Sequence, residues 1–294
     1  MEEAMTEKYS PERVSEFRRF TKVFLGRWLV KFGIVIILLL ILMAIFAPIL
    51  APFDPYEPAL GEGLQNPNAQ HLLGTDALGR DTLSRVIYGS RTSLIIGLSV
   101  VFTSAVIGSS LGLIAGYFGG WSYAVIMRTI DAFMAFPMIL LALVVAALLG
   151  GGLKNVIVAL TVGLIPAFAR LMCSQVIMIK EFDYIMAERA MGASHWRIML
   201  QHLVYNSFPP IIVMITMSLG QAILAEAGLS FLGIGIEAPM AAWGSMISDG
   251  RDYLLETPIL SFAPGFALML VVFSFSMVGD GLRDALDPRL RGVL

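Results

Sequence analysis

Charge is scarce in this sequence. Asp, Glu, Lys and Arg make up 14% of its 294 residues, against about 25% in an ordinary soluble domain. Hydrophobic residues reach 57% and the mean hydropathy is +0.79, which excludes a soluble globular domain and selects the bilayer as the solvent. Cysteine is nearly absent as well. A single residue, Cys173, excludes an internal disulfide and a thiol pair for a metal. His71 falls in an outside loop, and His195 and His202 sit seven apart on a probable helix with no acidic or thiol partner at ligand spacing, so all three read as surface or packed residues. The dipeptide Gly-Lys does not occur, so the chain lacks a phosphate-cradling P-loop and any ATP is hydrolysed elsewhere. Paired carboxylates, or a nucleophile with its base, cannot be assembled from the apolar segments either, which argues against an enzyme.

What the sequence does have is long apolar runs. A bilayer core about 30 Å thick takes roughly 20 residues of helix, and six stretches qualify: 32–53, 92–117, 132–150, 155–171, 207–225 and 258–278. The expectation is an all-α membrane protein with six transmembrane helices. Gly119-Gly120 and Trp121 mark the exit of the second span, and Gly163 and Pro166 interrupt the fourth. Only Arg80, Arg85, Arg91, Lys154 and Arg251 fall on one side of this topology, against the other fifteen of 20 Lys and Arg residues. The positive-inside bias therefore places both termini in the cytoplasm. The segments expected are a cytoplasmic stretch 1–31, the first span 32–53, an extracytoplasmic loop 54–91, a core 92–282 with a cytoplasmic loop 172–206, and a tail 283–294. A cleaved signal peptide is excluded by the long polar lead and the length of the first run.

Ionisable residues near the spans locate the energy source. Asp131, Arg170 and Asp280 are expected at cytoplasmic span ends and Glu226 at an outer end, leaving the midplane uncharged. That argues against proton-coupled transport. Gly108, Gly112, Gly116 and Gly120 repeat every four residues and stack one glycine stripe, for close helix packing within the bundle or for subunit pairing. At the start, Ser10-Pro11 suits a helix cap and first turn. Phe17, Phe20, Phe24 and Trp28 recur at helical spacing, as in a helix lying in the headgroup plane; the alternative is a disordered tail.

The most polar stretch between spans, 170–206, carries the strongest functional signal. Residues 181–190 read as a short helix, Gly192 suits its left-handed stop, and Ser194 is positioned to cap a second short helix through Leu203. Phe182, Ile185, Met186, Met191 and Trp196 are interleaved with charges there, the profile of a docking surface.

The residues 184–194, Tyr-Ile-Met-Ala-Glu-Arg-Ala-Met-Gly-Ala-Ser, resemble the EAA loop of bacterial ABC importer permeases. Three further stretches are similar to the C-type permease subunit of the dipeptide, oligopeptide and nickel importers: His71 to Arg85, Ala222 to Gly233 and Gly279 to Leu290. Two positions depart from the loop pattern. Met186 stands where a leading Glu belongs, with Glu188 displaced by two, and Val204-Tyr205 replaces a Leu-Pro pair.

The resemblance implies a permease of the bacterial or archaeal cytoplasmic (inner) membrane, non-catalytic itself, with a cytoplasmic coupling helix between spans four and five. Tyr184, Ala187, Glu188, Ala190, Gly192, Ala193 and Ser194 would form the contact with an ATPase. Implied partners are a homologous B-type permease subunit, two ATP-binding subunits that hold the ATP and Mg, and an extracytoplasmic solute-binding protein, with membrane lipid around the bundle. No cofactor, metal or nucleic acid is expected on this chain. The loop 54–91 would face the binding protein or simply seal the outer surface. Di- or oligopeptides are the leading solute class, nickel or oligosaccharides the alternatives. An ATP-independent channel is the reading from another class.

Overall fold

The computed structural model describes residues 16–58 and 62–286. Among these the structure is helical, with one isolated β-bridge between Thr75 and Asp81. Chain order gives α1 (Glu16–Phe24), α2 (Trp28–Ile45), α3 (Ala47–Leu50), α4 (Thr82–Phe118), α5 (Gly120–Met134), α6 (Met138–Leu149), α7 (Leu153–Ile179) and α8 (Asp183–Ala190). There follow α9 (His195–Arg197), a π-helical segment Ile198–Val204, α10 (Tyr205–Phe231), α11 (Trp243–Arg251) and α12 (Ile259–Leu286). Five helical runs are long and apolar enough to cross a membrane, and the bent pair α5–α6 makes a sixth if it counts as one crossing.

Several spans differ from their expected form, each for a local reason. The first helix stops at Ile45, short of residue 53, because Pro48 opens a new short helix after Phe46. The second begins at Thr82 rather than 92. Asp81 caps it by accepting a hydrogen bond from the Ser84 N–H (2.7 Å), so polar residues ahead of the apolar run are helical too. The third, expected as one rod over 132–150, is bent by 91° between α5 and α6, where Pro137 pushes the preceding residue out of helical geometry. The fourth runs unbroken through Gly163 and Pro166; in a bundle, neighbouring helices and local backbone adjustment absorb such residues. The fifth starts at His195, well before residue 207, and passes through Pro209 and Pro210.

At the start of the chain, α1 stacks Phe20 on Phe24 (5.5 Å between centroids). Trp28 does not continue that face, because the chain turns at residues 25–27 and Trp28 opens α2. The expected cap at Ser10-Pro11 lies outside the described residues, as does the tail beyond residue 286.

α4 and α7 form the centre of the bundle. Ala142, Ala146, Val156, Leu160, Leu164 and Phe168 interlock with Ile96, Val100 and Val101 there, all fully or almost fully buried. α10 joins them through Ala222, Ala225 and Leu229, and α2 leans on α12, with Gly33 against the Ser274 carbonyl.

Hydrogen bonds across the bundle fix which segments share an end. At one end Trp243 donates its indole N–H to the Val86 carbonyl (3.0 Å), Thr92 donates to the Ala241 carbonyl (2.8 Å), and the Gly152 N–H reaches the Gly235 carbonyl (2.9 Å). At the other, Lys180 donates to the Gly116 carbonyl (3.1 Å), and Arg27 pairs with Asp284 (2.5 Å) beyond the last turn of α12's apolar run. Arg283 and Leu286 of α12 share a cavity with Ile179, Phe182 and Asn206, so this end of α12 lies beside the loop between α7 and α10.

The described residues 51–58 and 62–81 form a polar layer over the far end of α4. Asp76 accepts from Arg80 Nε (2.7 Å), and Arg85 donates to the Pro55 carbonyl (3.0 Å). His71 Nδ1 lies 3.0 Å from Asp81 Oδ1, both side chains buried. The Gly74-Thr75-Asp76 and Gly79-Arg80-Asp81 repeats therefore act as turn and cap. Asp81→Ala removes the cap and leaves His71 without its buried partner. It is expected to cost about 1–3 kcal/mol, checked as a lowered midpoint of thermal unfolding in detergent.

Candidate functional site

The loop between α7 and α10 folds into a stiff elbow. α8 ends in a complete Schellman motif: the Gly192 N–H bonds the Arg189 carbonyl (3.0 Å) and the Ala193 N–H bonds the Glu188 carbonyl (3.0 Å). Gly192 closes it with φ +81°, a left-handed value that side chains resist. Two residues on, Ser194 Oγ accepts from the Arg197 N–H (3.3 Å) and starts the next helix. That helix does not stop at Leu203. It continues through the π segment into α10, so the second arm of the elbow and the span form one 37-residue rod.

One side of the elbow is sunk into the bundle. Ile185 is fully buried among Leu113, Met172, Val176, Ile179, Ile198 and Leu203. Polar contacts add to this anchor. Tyr117 Oη and His195 Nδ1 are 2.7 Å apart, Arg189 lies over the Tyr117 ring (5.3 Å), and Asn206 donates to Tyr184 Oη (3.2 Å). Glu188 faces Arg197 Nε (3.8 Å) and His202 Nε2 (3.6 Å). Burial raises the Tyr184 phenol above its ordinary pKa.

The other side is bare. Tyr184, Ala187, Ala190, Gly192 and Ser194 are exposed, Glu188 and Ala193 half-buried. Around them Met186, Met191 (75% exposed) and Trp196 (70%) present apolar surface, while Phe182, also exposed, lines the cavity between the elbow and α7, α10 and α12. A surface of this kind, held rigidly from behind, is suited to receive another protein.

Sequence reasoning missed the residues that hold the elbow from behind. His195 and His202 read as uninformative, yet one grips the end of α4 and the other faces Glu188. Their spacing of seven puts them near one helix face, but only the fold brings Tyr117 and Glu188 to them.

The glycine stripe splits in two. An added methyl at Gly108 would lie 2.6 Å from the Ile165 carbonyl oxygen, at Gly116 2.9 Å from Val176 Cβ, and at Gly112 against the Ala169 carbonyl oxygen. Those three glycines seat α4 on α7. Gly120 has nothing within 4 Å and φ +50°; it belongs to the turn between α4 and α5, not to the packing stripe.

Asp131 and Arg170 form an ion pair between α5 and α7, each side chain about half exposed (52% and 53%). Arg170 sits well inside α7, nine residues before its end at Ile179, rather than at a span end as expected. A cavity of about 1020 Å³ opens between α7, α10, α12 and the elbow, lined on α7 by Leu171, Gln175, Met178 and Ile179. A smaller cavity of about 340 Å³ lies at the opposite end between Asp76, Arg80, Arg85, Asp249 and Tyr253. Burial pushes the Asp249 carboxyl above its ordinary pKa, against the lowering pull of Arg85 and Arg80.

Comparison with known proteins places this architecture. Residues 108–292 match the family described as binding-protein-dependent transport system inner membrane component, and residues 15–73 match the N-terminal TM domain of oligopeptide transport permease C. The chain is 45% identical to the dipeptide transport system permease protein DppC of Alkalihalophilus pseudofirmus, over 95% of this chain and 91% of that one. It is 41% identical to the glutathione transport system permease protein GsiD of Pectobacterium atrosepticum (94% and 92% covered). It is 39% identical to the probable D,D-dipeptide transport system permease protein DdpC of Escherichia coli (98% and 97% covered). Among solved structures, an inward-facing MetNI methionine ABC transporter aligns with a TM-score of 0.58 at 22% identity, over 70% of this chain and 97% of that one. That likeness is one of fold.

Proposed function

We infer the working of this chain from its membership: it belongs to the binding-protein-dependent transport system inner membrane components, as a C-type permease of the dipeptide, oligopeptide and nickel importers. It is a multi-pass protein of the inner membrane and a permease subunit of an ABC importer. Within that identity, the elbow at α8 is the coupling helix and faces the cytoplasm, together with both termini. The basic residues gathered at that end support this orientation. The chain is non-catalytic: ATP and Mg are held by two ATP-binding subunits, which grip the exposed face of the elbow. A B-type permease completes the translocation path, and an extracytoplasmic binding protein delivers the solute to the end of the bundle where α4 begins.

The observation that carries this reading is the build of the elbow. Its bare apolar face is backed by Ile185 and the Tyr117–His195 bond, and its second arm is continuous with α10. A displacement applied to Met191 or Trp196 therefore moves a span and the end of α4, instead of bending a loop. Di- or oligopeptides are the solute class, since the relatives compared above carry dipeptide, glutathione and D,D-dipeptide in their names.

The test is reconstitution of the permease pair in vesicles. Peptide uptake should be absent until ATP, the ATPases and the binding protein are all supplied, and Ala187→Cys should crosslink to the ATPase. Passage of solute through the permeases alone would establish a channel instead. Uptake of nickel or oligosaccharide in place of peptide would leave the mechanism standing and replace the solute.

A further inference from the structure

We propose that the inner-half face of α7 carrying Arg170 lines the translocation path, and that Asp131 and Arg170 receive the ammonium and carboxylate ends of a zwitterionic solute. This deepens the importer reading and rests on it.

Position comes first. Nine residues of helix separate Arg170 from Ile179, about 14 Å along the axis, so the Asp131–Arg170 pair stands inside the bundle wall rather than at its rim. Both side chains are half exposed. Charged groups inside membrane spans are costly against lipid and face a watery cavity or a protein neighbour instead.

The surface around the pair shows which. Arg170, Ser174, Ile177 and Met178 are all exposed and follow at i, i+4, i+7 and i+8, one continuous face of α7. Nearer the other end of the helix, Gly163 on that side is covered by Met138 of α6. Past the 91° bend between α5 and α6, α5 meets α7 at Ala169 and Cys173 through Met127 and Ile130, and the Arg170, Ser174, Ile177 and Met178 side stays exposed. Met178, with Gln175 beside it, opens into the 1020 Å³ cavity, whose further lining includes Asn206, Ser218, Gln221 and Met214. Neutral amides and a hydroxyl can bond a peptide backbone of any sequence, and methionine walls adapt to differing side chains.

The pair completes the chemistry. Unoccupied, Asp131 and Arg170 neutralise each other. Parted by a solute, they offer a carboxylate to an ammonium and a planar two-pronged donor to a carboxylate, the strongest of the hydrogen-bonding geometries. A solute with both charges loses little in breaking the pair, because each half is replaced in kind. A singly charged solute leaves one half unmatched.

Two measurements on the complete transporter test this. In a Cys173→Ser background, Ser174→Cys and Gln221→Cys should react with a membrane-impermeant maleimide from the cytoplasmic side without nucleotide. Both should lose at least tenfold in labelling rate when the ATPases are trapped closed with ATP and vanadate. Equal labelling in the two states, or crosslinking of Ser174→Cys to the partner permease in both, overturns the proposal, as does labelling by a lipid-soluble probe only.

The second compares Asp131→Asn with Arg170→Met and the charge-exchanged double variant D131R/R170D, using alanyl-alanine as solute. Each single variant should lower uptake at least tenfold while binding-protein-stimulated ATP hydrolysis persists. The exchanged pair should likewise keep stimulated ATP hydrolysis and leave uptake low. Full uptake by the exchanged variant would make the pair a structural bond and overturn its solute role. Loss of ATP-dependent uptake in the unaltered transporter would instead refute the importer reading itself.

Discussion

Gly112→Val is expected to abolish the folded permease. The methyl carbon alone would press on the Ala169 carbonyl oxygen and approach the Cys173 nitrogen and Met172 Cβ to 2.9 Å. Two of these are backbone atoms of α7, so no rotamer change relieves them, and α4 must withdraw from α7 along the seam that also seats Gly108 and Gly116. Overpacking in a well-filled core costs about 1–3 kcal/mol where side chains can yield. Against backbone the cost moves into the range above about 4 kcal/mol that single changes rarely reach. Thermal unfolding in detergent, with the yield of monodisperse protein, checks it. Gly112→Ala should show a smaller loss in the same direction. Gly120→Ala, in open space, should show only the cost of a side chain at φ +50°, about 1–2 kcal/mol. An unchanged unfolding midpoint for Gly112→Val would mean that α4 and α7 are not in this contact.

Gly192→Val is expected to act on coupling rather than on folding. Nothing lies within 4 Å of an added Cβ, so there is no clash. The penalty is the left-handed backbone at φ +81°, about 1–2 kcal/mol for an ordinary residue and more for a β-branched one. The elbow can shed that strain locally by giving up the Gly192–Arg189 and Ala193–Glu188 bonds, after which α8 no longer holds a fixed angle to the rod behind it. Uptake per ATP hydrolysed should fall at least tenfold while the ATPases continue to turn over and the unfolding midpoint changes little. Gly192→Asn should retain most coupling, since asparagine tolerates the left-handed region. A normal ratio of uptake to hydrolysis in Gly192→Val would remove the coupling role from this segment.

Much of this was legible in the residues. The short helix, its glycine stop and the Ser194 cap depend on neighbours within five positions, and local chemistry suffices to place them. Span existence was legible because a bilayer imposes length and polarity on each segment separately. Span ends were not. α4 extends back to Thr82 because Arg85 and Ser84 find partners in a layer some 30 residues away, and α7 tolerates Pro166 because neighbouring helices surround it. The continuity of the elbow with α10 was hidden by Val204-Tyr205-Asn206 and Pro209-Pro210, which look like a loop when read alone.

The amino-acid sequence by itself determined that this is a multi-pass helical membrane protein, and its motifs pointed to a permease without its own ATP site, because composition, run length and motif order are properties of the linear chain. Only the tertiary structure decided which glycines are seams and which are hinges, that Glu188 meets His202, and that Asp131 finds Arg170 on an open face. Those are contacts between residues many turns apart, and their energies exist only once α4, α5, α7 and α10 have closed on one another.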